Sequence, residues 1–302
     1  MELYSTLPKI VNSPRVAIIV LNYNGLADTS ECLRSVGRID YPTVRVLVVD
    51  NHSADDSVAH LRKEFPHLEI LEREANGGFA AGSNTGIRRA LTDNIDYVWL
   101  LNNDTVVAPD ALRHLVTTAE EDASVGVVGC QIYDMTHRTS LRVWGGGRIS
   151  LASGWGGHLR HRVEPERLGY LTAASMLIRA QALRQVGLFD EGFFMYCEDI
   201  DLCFRLRRGG WKLAVAENAV IYHKEGASFR EQWVLRDALV TQSEVRLFQK
   251  YAPSPSVPIL VRGCLRYLKR LFRGEWRRSR TVWVSTAQAL RDVRSSCTSS
   301  ES

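Results

Sequence analysis

Three carboxylates stand within four positions at Glu198, Asp199 and Asp201, in a segment whose apolar members Ile200, Leu202, Phe204 and Leu206 call for burial. Like charges this close raise one another's pKa, so each acid needs a cation, a hydrogen-bond donor or a substrate hydroxyl as partner. Asn102, Asn103 and Asp104 follow the apolar run 97–101, and His223 closes the alternating stretch 219–223. A hard divalent cation prefers carboxylate oxygen and keeps positions open for phosphate oxygens. Asp104 with His223 suits such an ion, Mg or Mn, with Asn102 as a neutral auxiliary. Together these groups point to metal-assisted group transfer in which one carboxylate is the base.

Each of these residues also has a plainer reading. An acidic helix start is favoured by the helix dipole, and Arg205 lies four residues beyond Asp201. At a helix start Glu198 and Asp201 share a face while Asp199 points elsewhere, so one acid can cap, one can pair with Arg205 and one is left to accept a proton. Asp50, directly after the apolar run 44–49, either meets a ribose hydroxyl or base N–H, or forms an Asx-turn with Ser53. Asn102 to Asp104 fits a turn, and a strand-end His223 fits a hydrogen-bonded structural role.

Strand and helix signals alternate through the first half of the chain. Apolar runs at 16–21, 44–49, 68–71, 97–101 and 125–132 read as buried strands, and 28–36, the stretch up to residue 65, 79–91 and the segment carrying Leu112 and Leu115 read as helices. This order predicts right-handed crossovers, hence an α/β fold with one open, mostly parallel sheet of Rossmann type and helices on both faces. Ligands bind such sheets beyond the carboxyl ends of the strands, where Asn22 to Gly25, Asp50 to Ser53 and Asn102 to Asp104 all fall. Gly78, Gly82 and Gly86 recur every four residues on one helix face, which lets that helix approach a strand or a phosphate. The spacing is not the dinucleotide G-x-G-x-x-G pattern. Asn76 and Asn84 are the polar residues there expected near a ligand. Residues 133–167, rich in glycine, read as an irregular binding loop or lid. Strands at 174–179 and 219–223 and helices at 180–186 and 200–208 follow, and 252–258 reads as a stiff proline-containing linker.

Composition narrows the class. The 302 residues are 45% hydrophobic and 24% charged, ordinary for a folded protein. The net charge is only +4, yet residues 261–280 carry eight cations against the single acid Glu275, so the remainder is slightly acidic. A catalytic body with a basic appendage fits that split, and wrapping by nucleic acid does not. Six cysteines without a C-x-x-C pair suggest a reduced, cytoplasmic chain. No stretch has the length and apolarity of a spanning helix.

The ordered set of motifs resembles family 2 glycosyltransferases, especially the bacterial rhamnosyltransferase-like branch. It comprises residues 20–24, 49–53 and 76–84, Leu100 through Asp104, Gly187 through Glu191, Glu198 through Arg205, and His223, and covers about residues 15–230. The resemblance implies a GT-A fold, a nucleotide-diphosphate sugar donor, and inversion at the anomeric carbon. It implies that Tyr23 and Asp50, with Asn22, Asn76, Gly78, Asn84, Asn102 and Asn103 around them, hold the nucleotide sugar, and that Asp104 and His223 bind the metal. Asp199 is then the base, with Glu198 and Asp201 beside it. Many members have Asp where Asn102 stands, which weakens the metal site here.

The expected organisation is an N-terminal extension at 1–14, a GT-A domain at 15–250 divided into a nucleotide-sugar-binding half (15–132) and an acceptor and catalytic half (133–250), and a basic amphipathic helical tail at 251–302. The tail, with Leu265, Tyr267, Leu268, Leu271 and Phe272 among its cations, suits an anionic membrane surface, placing the chain peripherally on the inner face of the plasma membrane beside a lipid-linked glycan acceptor. Packing on the body or in a homodimer is its other reading. Rhamnose from dTDP-rhamnose is the donor that the branch resemblance implies. A non-catalytic nucleotide-sugar-binding scaffold and a sugar nucleotidyltransferase are the competing functions, the latter lacking a basic Gly-rich loop after the first strand.

Overall fold

The computed structural model describes residues 13–224 and 233–298, so all but the last two positions of the expected N-terminal extension lie outside it. Strands β1 (Val16–Asn22), β2 (Val44–Asp50), β3 (Glu69–Glu72) and β4 (Tyr97–Asn102) pair in parallel in the order β3-β2-β1-β4. Their apolar runs are buried because helices cover both faces. Val16, Ile18, Val20 and Trp99 join one buried cluster, while Ala17, Ile19, Val98 and Leu100 join the other. Helices α1 (Leu26–Val36), α2 (Ser57–Glu64) and α3 (Gly78–Leu91) make the crossovers. The register aligns Asn22 with Asp50 and Leu21 with Asn102, so the polar residues ending three strands stand side by side.

Beyond β4 the sheet is mixed. A short β5 (Thr105–Val107), not foreseen from the sequence, precedes α4 (Ala111–Glu121), and β6 (Val125–Asp134) follows. β11 (Ser175–Arg179) then lies antiparallel between β4 and β6. The connection from β6 stays on the site side of the sheet instead of crossing over in a helix, so β11 enters beside the end of β4, pairing Ser175 with Leu101. The expected parallel arrangement therefore holds for the first four strands and for β6 with β12 (Lys212–His223), whereas β5 lies antiparallel on β12.

The glycine-rich stretch, expected to be irregular, is ordered. β7 (Leu141–Trp144) pairs with β6, and β8 (Gly146–Ile149), β9 (Gly156–His158) and β10 (Tyr170–Leu171) form a second small sheet in the order β10-β8-β9. Its glycines are packing residues: a Cβ at Gly146 would lie 1.9 Å from the Tyr170 carbonyl oxygen, and one at Gly156 would lie 2.1 Å from that of Arg148. Helix α5 (Ala180–Val186) and α6 (Glu198–Arg208) complete the body.

Three further helices, α7 (Trp233–Tyr251), α8 (Ser256–Leu271) and α9 (Trp276–Thr298), pack on one another and on the small sheet through Phe248, Ile259, Ala289 and Val293 with Ile149 and Leu151. The supposed linker at 252–258 is shorter than expected, because α8 begins at Ser256. Pro258 occupies its first turn, where a missing N–H costs nothing.

One close approach binds the two halves of the body. Gly78 opens α3 at φ +78°, and its Cβ would lie 2.0 Å from the Phe194 carbonyl oxygen, which accepts from Phe79 N at 2.7 Å. Both the backbone conformation and the space demand glycine. Replacing Gly78 with Ala is expected to destabilise the protein by about 1 to 3 kcal/mol, read from the denaturant midpoint.

Candidate active site

The ends of β1, β2 and β4 are joined by a chain of hydrogen bonds. Asn103 Nδ2 donates to Thr29 Oγ1 at 2.9 Å, and Thr29 Oγ1 donates to Asn22 Oδ1 at 2.6 Å. Asn22 Nδ2 in turn donates to Asp50 Oδ1 at 2.8 Å. Ser53 closes the chain, donating from its N–H to Asp50 Oδ2 and from its hydroxyl to Oδ1. Asp50 thus makes the Asx-type turn that was its plainer reading, and it is buried at the crevice floor. Thr29, which bridges two strand ends from α1, gave no signal in the sequence, since its partners are distant in the chain.

Above that floor Tyr23 projects, about half exposed. Asn24, His52, Tyr196 and Cys197 are the non-glycine residues with positive φ among those described. All four stand in turns that follow β1 and β2 or precede α6. Strain of this kind persists where surrounding bonds enforce it, and it concentrates at functional sites. Here Asn24 Oδ1 accepts from Ala54 N at 2.7 Å, and the Met195 carbonyl accepts from Ser243 Oγ at 2.6 Å.

At the end of β4, His223 Nε2 stands 3.0 Å from Asp104 Oδ1, and Asn102 Nδ2 lies 3.5 Å from the same ring nitrogen. Strand β12 delivers His223 by pairing it with Thr105. The structure thus brings Asp104 and His223, paired in the sequence reading, into contact. A carboxylate oxygen and an imidazole nitrogen fit a divalent ion that takes its remaining ligands from diphosphate oxygens and water. Among the described residues no group of three or more His, Cys, Asp or Glu could hold an ion by itself. Lys224, the next residue, is held by Asp28 at 2.6 Å and Glu31 at 2.7 Å, and these bonds raise its pKa.

The three acids of the cluster have different surroundings. Asp201 turns inward, where it is fully buried and accepts from Arg205 Nε at 2.8 Å, Lys250 Nζ at 2.5 Å and Tyr251 Oη at 2.7 Å. It is a structural anchor for α6 and is not brought to the crevice. Glu198 is also buried, and its Oε2 has no hydrogen-bond partner. Burial, and then the charge of Asp199, push its carboxyl well above the usual range. Asp199 is half-buried and does not share the cations that hold Asp201. Its Oδ2 accepts from Ala173 N at 3.2 Å and its Oδ1 from Ile200 N at 2.8 Å. Burial raises its pKa, opposed first by the Ala173 N–H and then by the charge of His158.

That Ala173 contact decides where Asp199 stands. The carbonyl of the adjoining Ala174 accepts from Asn102 N at 3.1 Å, so the two residues Ala173 and Ala174 connect the candidate base to the end of β4. Asp199 is thereby tied through Ala173 and Ala174 to the backbone of Asn102. Asn76 and Asn84 take other roles. Asn76 Oδ1 accepts from Asn51 Nδ2 and Gly78 N, and Asn84 clasps both the N–H and C=O of Phe189, holding 187–191 against α3. Gly82 and Gly86 face Leu21, Ile19 and Val49, so the glycine stripe packs helix on strand.

A layered α/β domain with acidic and amide groups gathered at its strand ends is the GT-A glycosyltransferase architecture. Residues 14–238 match the family described as glycosyltransferase like family 2, and the chain belongs to that family. It is similar to the N-acetylglucosaminyl-diphospho-decaprenol L-rhamnosyltransferase of Mycobacterium tuberculosis, 26% identical over 71% of this chain and 78% of that one. It is also similar to the rhamnosyltransferase WbbL of Escherichia coli, 28% identical over 61% of this chain and 75% of the relative. Its fold is that of the mannosyltransferase PcManGT from Pyrobaculum calidifontis, solved with GDP-Man and Mn2+, at a TM-score of 0.60 and 19% identity over 97% of this chain and 79% of that one. The protein is a glycosyltransferase.

The buried Glu198 gives the site a titration signature. Its folded pKa lies above the unfolded value near 4.3, so its stabilising contribution is complete below that pH and is lost as pH rises towards the folded value. Glu198→Gln copies the protonated form. The stability difference between variant and wild type is expected to shift in the variant's favour as pH rises from about 4.3, measured by denaturant unfolding at several pH values.

Proposed function

We propose that the protein is an inverting transferase that moves a sugar, rhamnose from dTDP-rhamnose in the first instance, to a hydroxyl of a cell-envelope or lipid-linked glycan, with Asp199 as the base. The observation that carries this reading is the fate of the three acids. Asp201 is neutralised by cations and Glu198 is sealed in, while half-buried Asp199 hangs from Ala173 beside the end of β4.

Each Asp199 oxygen accepts one backbone N–H and keeps a lone pair for a further proton. Its raised pKa brings proton affinity nearer to that useful at neutral pH. The acceptor's O–H proton passes to Asp199 as its oxygen bonds to the anomeric carbon. The bond from that carbon to the diphosphate oxygen breaks on the opposite side, which inverts the centre. Residues 15–132 hold the donor in this scheme, with Tyr23 over the base and Asp50 under the ribose, and residues 133–250 present the acceptor. Asp104 and His223 would hold a Mg or Mn ion, whose chemistry is to offset charge on the departing diphosphate. The rhamnosyl activity of the two relatives supports the sugar, and the Mn2+ in the mannosyltransferase structure supports the metal.

Asp199→Asn, which keeps an acceptor for only one of the two N–H donors, is expected to lower kcat by about 10²- to 10⁴-fold with little change in donor KM, in protein shown to be folded by denaturant unfolding. Unchanged transfer by that variant would remove Asp199 from the mechanism, and binding of donor without any turnover by the wild type would favour a scaffold. Chelation is expected to abolish turnover and Mn or Mg to restore it; full activity in chelator discards the ion. Among nucleotide sugars, dTDP-rhamnose at about 100 times its Kd should stabilise the protein by about 2.7 kcal/mol, measurable as a thermal shift.

A further inference from the structure

Helix α8 is turned inside out relative to an ordinary surface helix. Its inward face carries Arg262, Arg266 and Arg270, four residues apart, and these enter a buried acid row on α7. Glu244 pairs with Arg262 and Arg266, and Asp237 pairs with Arg270 and with Arg278 of α9. Both acids are buried, and Arg266 keeps two buried nitrogens without hydrogen-bond partners. The outward face carries Val257, Leu260, Leu265, Leu268 and Phe272, all exposed, and Phe272 is 85% exposed. At 3.6 residues per turn these positions form one apolar arc of roughly 140°. Burying guanidinium groups to leave leucines in water is costly in both directions, so the arc is a presented surface.

We propose that this face of α8, with the start of α9, inserts into the interface of an anionic lipid bilayer and holds the acceptor side of the crevice at headgroup level; the second half of this statement rests on the transferase reading above. Trp276 and Trp283 of α9 are exposed, Trp283 against Tyr267 of α8, and amphipathic aromatic rings of this kind sit at the membrane boundary. Exposed Lys269, Arg273, Arg277 and Arg280 rim the arc. From Ser256 to Arg291 the sole acid is Glu275, already paired with Arg270 and Arg278. The charge is therefore complementary to anionic headgroups. A second copy fits less well, because a two-fold contact would set these cations against themselves with no carboxylate between. Among the described residues no helix is long and apolar enough to cross a membrane, so the insertion is along the surface.

The arginine row also fixes what lies next to the bilayer. Arg262 Nη1 donates to the Gly156 carbonyl at 3.2 Å, and a Cβ at Gly154 would meet Pro258 O at 2.8 Å. The β8–β9 hairpin, with Trp155 70% exposed at its turn, is thus seated on α8. That hairpin belongs to the same small sheet as β10, which packs on α6 and its Asp199. The eight cations of 261–280, expected to face lipid together, divide instead: four lock α8 and α9 to α7, and four rim the apolar arc.

Vesicles of phosphatidylcholine with phosphatidylglycerol test the surface by co-sedimentation of the full chain. Wild type is expected to bind, with blue-shifted tryptophan emission quenched by brominated lipid. Leu265→Ser with Phe272→Ser is expected to weaken binding about tenfold or more while leaving the circular dichroism unchanged. Arg273→Glu with Arg277→Glu, which also spares the packed face, is expected to weaken binding most at low salt. Absence of wild-type binding, equal binding by both variants, or a wild-type dimer dissociated by the serine substitutions overturns the proposal. Donor hydrolysis in water, measured on the same samples, reads the transferase function separately. Hydrolysis without vesicle binding rejects the surface alone, and vesicle binding without hydrolysis rejects the transferase reading alone.

Discussion

The contact between Asp199 Oδ2 and Ala173 N organises the site. It ties the start of α6 to the chain entering β11, and the neighbouring Ala174 carbonyl ties that same chain to Asn102. A carboxylate on one element is thereby set against the strand end that carries Asp104. Burial raises the pKa of Asp199, and the Ala173 N–H is the main influence that opposes it. Were a cation in that place, as at Asp201, the acid would be a poor proton acceptor.

Around this contact the structure spends its buried polar groups on holding loops. The Asn103, Thr29, Asn22, Asp50 and Ser53 chain aligns three strand ends, and Asn84 and Gly78 fasten the segment 187–197 to α3. Because these groups are satisfied by one another, the loops stay in strained backbone conformations at Asn24, His52, Tyr196 and Cys197. Several residues expected to meet the nucleotide directly, Asn22, Asn76, Gly78 and Asn84, do this supporting work.

The C-terminal helices extend the same logic outward. Two acids on α7 draw in four arginines from α8 and α9, and the choice of which face of α8 is buried follows from those charges. Hydrophobicity alone would have turned the helix the other way. In consequence the β8–β9 hairpin and the exposed apolar arc belong to one packed assembly.

Much was legible without coordinates where the signal is local. Continuous apolar runs announced the strands of the first half, because a strand buried on both faces needs no polar residue, and abrupt polar endings at Asn22, Asp50 and Asn102 marked the crevice. Helical spacing set Glu198 and Asp201 on one face, yet the fold gives them different surroundings, Asp201 among cations and Glu198 next to the charge of Asp199. The chain order of motifs was enough for the family. What depended on distant partners was not legible: the reversed β11, the strands hidden in the glycine-rich stretch, Thr29 as a bridge and the inward arginines of α8. Composition records which groups are present, and a hydrogen bond or ion pair across the fold determines which of them face the crevice, the core or the surface. Residue type and spacing by themselves therefore determined the architecture and the chemistry available to it, while tertiary packing alone decided which carboxylates were paired, sealed in or left half-buried, because buried charge goes wherever its counter-charge is held.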